Sequence, residues 1–389
     1  MSYDLQVWAT SQVEIPITLP EPELWREEGD VWVRGKGTWQ VVVGPQHRVD
    51  LEDIPSDVLA ALPGIRHMIE VSLEPIAAPR SAYSLVRRTA KLLASAAHGA
   101  VLDQQTATVT TPSGVHRYVR SEPSKVVDVL ELSWFAMNST IRSRPWFDAL
   151  VRLFERNLPE ALPVRYGRYE PPSHRLRECG RDHLVDFLID EHRDGGIVVW
   201  YPARPILHLH LSLGSGASCQ GWRAQRITMD VEAAVLKQPG WATTLQRLWR
   251  QVAHLCQIYY ADVRIMRNQR VGGSTLHELR EADRHPVCSW WWAGIPADGG
   301  VAVALGEPYR SLWPEFVAAG DPDGELSVLS GVGWLECENV FDRVGGVPDA
   351  LAAQSPAYLK DGWGPNLDRV YPRVWPFGAT HSRRPGGAA

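Results

Sequence analysis

Cysteine is scarce and scattered. The chain holds 5 cysteines in 389 residues, none of them in a Cys-x-x-Cys pair, which excludes a disulfide scaffold and a paired-cysteine zinc fold. Cys179, Cys219, Cys256, Cys288 and Cys337 lie far apart, and Cys256 falls on an apolar helical face where it reads as a small buried hydrophobe. Long apolar runs are missing too: none approaches the ~20 residues of a membrane span, so no membrane partner is expected. A basic excess is absent. Lys and Arg number 40 against 45 Asp and Glu, a net charge of −5, so the chain is not a polycation built for phosphate backbones, and nucleic acid is an unpromising partner. The start, Met1 to Leu5, carries neither the basic nor the apolar region of a secretory signal. With the dispersed cysteines, this points to the cytoplasm.

Several catalytic signatures are also lacking. There is no Gly-x-Ser-x-Gly elbow. Gly29 to Lys36 has the wrong glycine spacing for a phosphate loop, and Gly37 stands where Ser or Thr would hold magnesium. Gly331-Val332-Gly333 lacks the third glycine of a dinucleotide fingerprint. Asp321-Pro322-Asp323-Gly324-Glu325 reads as a turn, without the spacing of a calcium loop. No cofactor is expected.

What is present is the ordinary 44% hydrophobic content of a globular protein, with a surplus of tryptophan, 17 residues. Tryptophan serves both cores and binding surfaces. Period-two alternation predicts strands over 4–9, 69–74, 126–134, 164–169, 197–200 and 206–213. Valine-rich segments around Gly35-Lys36-Gly37 predict a hairpin. Stripes at 3–4 spacing predict helices over 81–98, 143–158, 175–192 and 241–259, and Pro55 to Leu62 a short one, with Gly99 expected in the left-handed position that ends helix 81–98. Further strands are expected at 100–103 and 262–266. The class is α+β: two layered domains, with antiparallel or mixed sheets covered by helices. Residues 112–125, rich in Pro, Ser, Gly and charge, are expected to link a domain at 1–115 to a larger one at 126–370, with a tail at 371–389. The run 69–74, 81–98, 100–103 has the same element pattern as 126–134, 143–158, 164–169, which points to duplication.

Three groups could carry chemistry. On a strand, His208, His210 and Ser212 share one face while Leu207, Leu209, Leu211 and Leu213 share the other. Two imidazoles ~7 Å apart can share a metal or act as acid and base, but no His-x-x-x-His or neighbouring Cys pair offers a third ligand, and ordinary hydrogen bonding on a polar sheet face is the stronger account. The triplet Trp290-Trp291-Trp292 must present at least one ring away from a one-sided core, and with Tyr309 and Trp313 it would form a concave recognition platform. Arg165 and Arg168 alternate with Tyr166 and Tyr169, an arrangement that can stack bases but more often forms a structural edge strand.

The run from Ala161 to Leu213, with Leu162-Pro163-Val164-Arg165-Tyr166-Gly167 and Val199-Trp200-Tyr201-Pro202, together with Trp290-Trp291-Trp292-Ala293-Gly294-Ile295-Pro296 and Leu305-Gly306-Glu307-Pro308-Tyr309, resembles segments of bacterial immunity proteins of polymorphic-toxin and secretion systems. The resemblance implies a cytoplasmic, non-enzymatic protein that binds and neutralises a partner protein such as a secreted toxin; it transfers no individual functional residue. Two alternatives stand beside it: a metal-dependent hydrolase using His208 and His210, and a nucleotide- or nucleic-acid-binding defence or regulatory protein using Arg165, Arg168 and nearby aromatics.

Overall fold

A computed structural model describes residues 3–35, 39–74, 78–103, 106, 108–117, 125–137, 142–168, 170–212, 225–272, 275–277, 294–331, 334 and 339–352. The described residues fall into two compact units, 3–117 and 125–352. Each is an antiparallel sheet with helices, so the class is α+β.

In the first unit, Tyr3–Ala9 lies in the middle of the sheet, hydrogen-bonded on one side to His67–Glu74 and on the other to Ala100–Asp103, antiparallel to both. Helix Arg80–Ala96 joins these two outer strands, so the connection crosses over the central strand. Its apolar stripe, Ala82, Val86, Ala90 and Leu93, packs against Leu5, Val7, Ile69 and Val71. The opposite sheet face carries Trp8, Met68 and Leu102 under Val58 of the short helix Ser56–Ala61. The expected hairpin forms between Val31–Gly35 and Gln40–Val43.

Two local expectations are corrected here. Gly99 does not end the long helix in a left-handed conformation: His98 does, with φ of 48°. Gly99 is required for a different reason, because a Cβ there would collide with the Trp8 carbonyl. And 112–125 is not linker throughout, since Gly114–Arg117 pairs with Thr108–Thr111 as a strand of the first sheet.

The second unit is built around Lys125–Ala136. Its neighbours are Gln225–Glu232 and Ile258–Gly272, both antiparallel to it. Helix Trp241–Cys256 connects those neighbours across the central strand. This is the arrangement of the first unit, and it corrects the pairing expected from element order. The strand after helix Arg144–Asn157, Pro163–Gly167, is separated from Lys125–Ala136 by three others. On the helix side, Leu130, Leu132 and Trp134 meet Phe147, Val151, Leu184, Leu188, Leu248, Trp249 and Val252 in the main core.

Helix Trp241–Cys256 stops three residues short of the expected Tyr259. Gln257 adopts φ of 51°, and the chain enters the strand at Ile258. Arg142 closes the helix end by donating to the Cys256 carbonyl at 2.6 Å, with its guanidinium 4.6 Å from the Trp146 ring. A cation at a helix C-terminus meets the negative end of the macrodipole. No helix among the described residues is long and apolar enough to cross a membrane.

Candidate functional site

The other face of the large sheet is polar at its centre. Register builds it in rungs. His208 lies opposite Asp230, which lies opposite Glu131, which lies opposite Arg264. The next rung runs His210, Thr228, Ser133, Asp262, and the third Ser212, Arg226, Phe135, Tyr260. Period two places these residues together, since alternate positions of each strand share a face. Ser133 and Asp262 are fully buried, and Thr228 and Asp230 nearly so.

Charges here are compensated locally. Asp262 Oδ2 accepts from Arg264 Nε at 2.9 Å and from the Tyr260 hydroxyl at 3.1 Å. Burial opposes the charge on Arg264, but Asp262 and Tyr260 outweigh it and the guanidinium is held above its ordinary value. Burial, then Asp262, pushes the Tyr260 hydroxyl well up. Arg226 lies 3.8 Å from Glu131 and 5.3 Å from the Phe135 ring centre.

The histidine pair faces this ladder as its alternation predicts, and it has a third potential ligand. Glu170, from the loop after Pro163–Gly167, brings Oε1 to 3.5 Å from His208 Nε2. The ligand atoms of Glu170, His208 and His210 all lie within 4.8 Å of one another. This corrects the expectation that no third ligand exists: Glu170 is distant in sequence and arrives only through the loop. The two imidazole centres are 3.6 Å apart, and His208 packs 5.7 Å from the Tyr201 ring. Burial first, then His208 and Arg226, hold His210 well below the ordinary imidazole value, so it is neutral at pH 7. A carboxylate with two imidazoles suits a first-row divalent ion.

One part of the expected alternation fails. A register shift between Ile206 and His208 marks a bulge, which sends Ile206 into the helix-side core and Leu207 into a separate cluster with Val129 and Val271. The extra residue of a bulge resets the side-chain alternation.

The remaining sequence candidates are placed as follows. Arg165 is buried and donates through Nε and Nη2 to the Pro172 carbonyl, at 3.0 and 2.6 Å, fixing the chain at Pro172. Arg168 donates to both Glu191 carboxylate oxygens at 2.9–3.0 Å and pairs with Asp194. Neither guanidinium is presented for stacking. Tyr309 and Trp313 are interior, which corrects their expected place on a concave surface: Trp313 packs 5.2 Å from both Phe316 and Phe341, in an aromatic cluster that also holds Tyr309. Trp290, Trp291 and Trp292 lie outside the described residues.

Sequence reasoning missed a groove. Helices Arg144–Asn157 and Trp241–Cys256 leave between them an open cleft of about 750 Å³, lined by Ala149, Arg152, Leu153, Arg156, Gln251 and His254 among others. Asp148, also at the groove, is paired with Arg181 at 3.3 Å, and His254 with Asp323 at 3.0 Å. Arg152 and Arg156 are exposed and have no ion-pair partner among the described residues. The signal was their i, i+4 spacing beside the buried stripe of the helix.

No family model matches the chain, and no curated protein matches it. Among solved structures, the chain is similar to the Pseudomonas aeruginosa T6SS protein PA0821, at 11% identity and a TM-score of 0.37, over 65% of this chain and 72% of that chain.

Proposed function

We propose that this chain is a binding protein that neutralises a partner protein, in the manner of immunity proteins, and that the partner presents an acidic segment to the groove between helices Arg144–Asn157 and Trp241–Cys256. The observation that supports this is the pair Arg152 and Arg156 on an open cleft, uncompensated among the described residues, in a chain of net charge −5. Like charges at i, i+4 weaken a helix by a few tenths of a kcal/mol. Arginine is enriched among the side chains that anchor interfaces, and complementary charge steers association. Leu153 and Ala149 give the groove an apolar lining beneath the cations. Trp290, Trp291 and Trp292 are proposed as further anchors.

The test is co-expression of the full chain with the proteins encoded by its neighbouring genes, scored for bacterial growth and for a complex by size-exclusion chromatography. Protection by the wild type and its loss in R152E/R156E are the expected results. If no neighbouring product is bound or neutralised, the reading fails. Protection that survives the charge reversal would move the interface off this groove.

A second reading, a metal-dependent hydrolase, is favoured by one observation: Glu170 completing a three-ligand set with His208 and His210. Such a set leaves coordination positions for a water, whose pKa the metal would lower. Elemental analysis of the purified chain decides it. A zinc content about one equivalent per chain lower in H208A/H210A than in the wild type would support the hydrolase. No metal at that pair, with protection intact in the double variant, would leave the binding reading alone.

A further inference from the structure

We propose that His174, Cys179 and His183 form a thiolate–imidazole site for a zinc-class ion at the edge of the large sheet, separate from the polar face. The three residues reach one point from two elements. His174 lies on the short strand His174–Arg175, opposite Tyr166 in the register. Cys179 and His183 lie on the helical segment Leu176–Asp194, which is interrupted at Gly180 with φ 81° and ψ 171°. That conformation is open to glycine and strained for other residues, and it sits between the two ligand positions. Ligand atoms of the three side chains lie within 4.8 Å of one another.

The surroundings fix the imidazoles. Tyr166 is fully buried, and its hydroxyl lies 2.8 Å from His183 Nδ1. A metal-bound histidine characteristically has its second ring nitrogen engaged by an oriented oxygen, and the Tyr166 hydroxyl is such a partner for His183. His174 packs 5.4 Å from the Tyr166 ring, 5.3 Å from Phe187 and 4.9 Å from His183. Cys179 itself is exposed, so an ion can enter and leave.

The donor set selects the ion. One sulfur and two imidazole nitrogens form a borderline-soft set that fits tetrahedral zinc and disfavours calcium or magnesium. Binding replaces the thiol S–H bond with an S–metal bond and releases the proton to solvent. Three protein ligands leave a fourth position for water or a donor from another molecule.

Cobalt(II) titration of the chelator-treated full chain tests the site, because thiolate ligation gives a charge-transfer band that the sulfur-free Glu170, His208 and His210 set cannot produce. The expected result is a band that saturates at one equivalent, is bleached by zinc, persists in H208A/H210A and is absent in C179S. Tyr166→Phe should weaken binding about 10–100-fold while the ligands remain, as for an orienting group. Since Cys179 is exposed, C179S should melt with the wild type; His183→Gln, also at an exposed position, serves as a second ligand variant expected to abolish or strongly weaken the band. No charge-transfer band in the wild type, or a band unchanged in C179S, would overturn the proposal.

Discussion

The two units share a core device and differ in what they place behind it. In each, a helix crosses over the central strand and buries an apolar stripe on one face of the sheet. On the reverse face, the first unit sets Trp8, Met68 and Leu102 into an apolar cluster and leaves Asp4, Gln6 and Glu70 half-exposed. The second unit also has apolar ends on that face, around Val129 and around Phe135 and Tyr260. Between them it buries Ser133, Asp230 and Asp262, with Arg226, Arg264, His208 and His210 alongside. Buried charges contribute little net stability compared with well-packed apolar groups. The reverse face of the first unit shows that this kind of scaffold folds with apolar groups where that face is buried and polar groups where it is half-exposed. The polar ladder therefore points to a role beyond folding, and sites that break the rules of a good core are where function concentrates.

The largest effect should come from the ladder. Asp262→Ala removes the fully buried carboxylate that accepts from both Arg264 and Tyr260 and should cost about 3–5 kcal/mol in denaturant unfolding. Asp4→Ala, on the half-exposed reverse face of the first unit, should cost less than ~1 kcal/mol. Equal losses would erase the contrast between the faces. The helix-facing cores should by contrast behave alike: Leu93→Ala and Leu248→Ala, both fully buried, should each cost about 2–5 kcal/mol by leaving a cavity. An unchanged melting temperature for either would show that its helix does not rest on the core described.

A smaller effect is the pH dependence contributed by the first unit. Burial lowers His47 below the ordinary imidazole value despite Asp30, and burial with Arg48 and Arg66 lowers His67. Above about pH 6.5 both histidines are neutral folded and unfolded, and they contribute no pH dependence. As pH falls through that value the unfolded chain takes up protons first, so stability is lost until the folded value is reached. Thermal melts at pH 7.5 and 5.5 should show a smaller acid-induced drop for H47Q/H67Q than for the wild type. An identical drop would remove these two residues as the cause.

Much of this was written locally. Period two in Ile69, Val71 and Leu73, and the 3–4 spacing of Leu245, Leu248 and Val252, identify strand and helix because a buried face needs apolar groups at the element's own repeat. The same reasoning puts His208 and His210 on one face. It was open to Arg226, Thr228 and Asp230, and to Tyr260, Asp262 and Arg264, whose alternation was equally visible. Boundaries were less legible. Nothing local marks Gln257 as the residue that turns the long helix into a strand, and the bulge at Ile206–His208 depends on the register of the neighbouring strand.

The sequence by itself determined the α+β class, the principal helices and strands, and which side of each faces a core, since these follow from short-range periodicity and the burial of apolar surface. Tertiary structure alone decided which strands neighbour one another, and therefore which polar side chains meet. Glu131 is flanked by Asp230 on one strand and Arg264 on another, and Glu170 reaches His208 across a loop. It also turned Tyr309 and Trp313 inward, because an aromatic ring has no fixed preference between core and surface until its neighbours are in place. Pairings between distant segments depend on sheet order and register, and short-range periodicity carries no information about either.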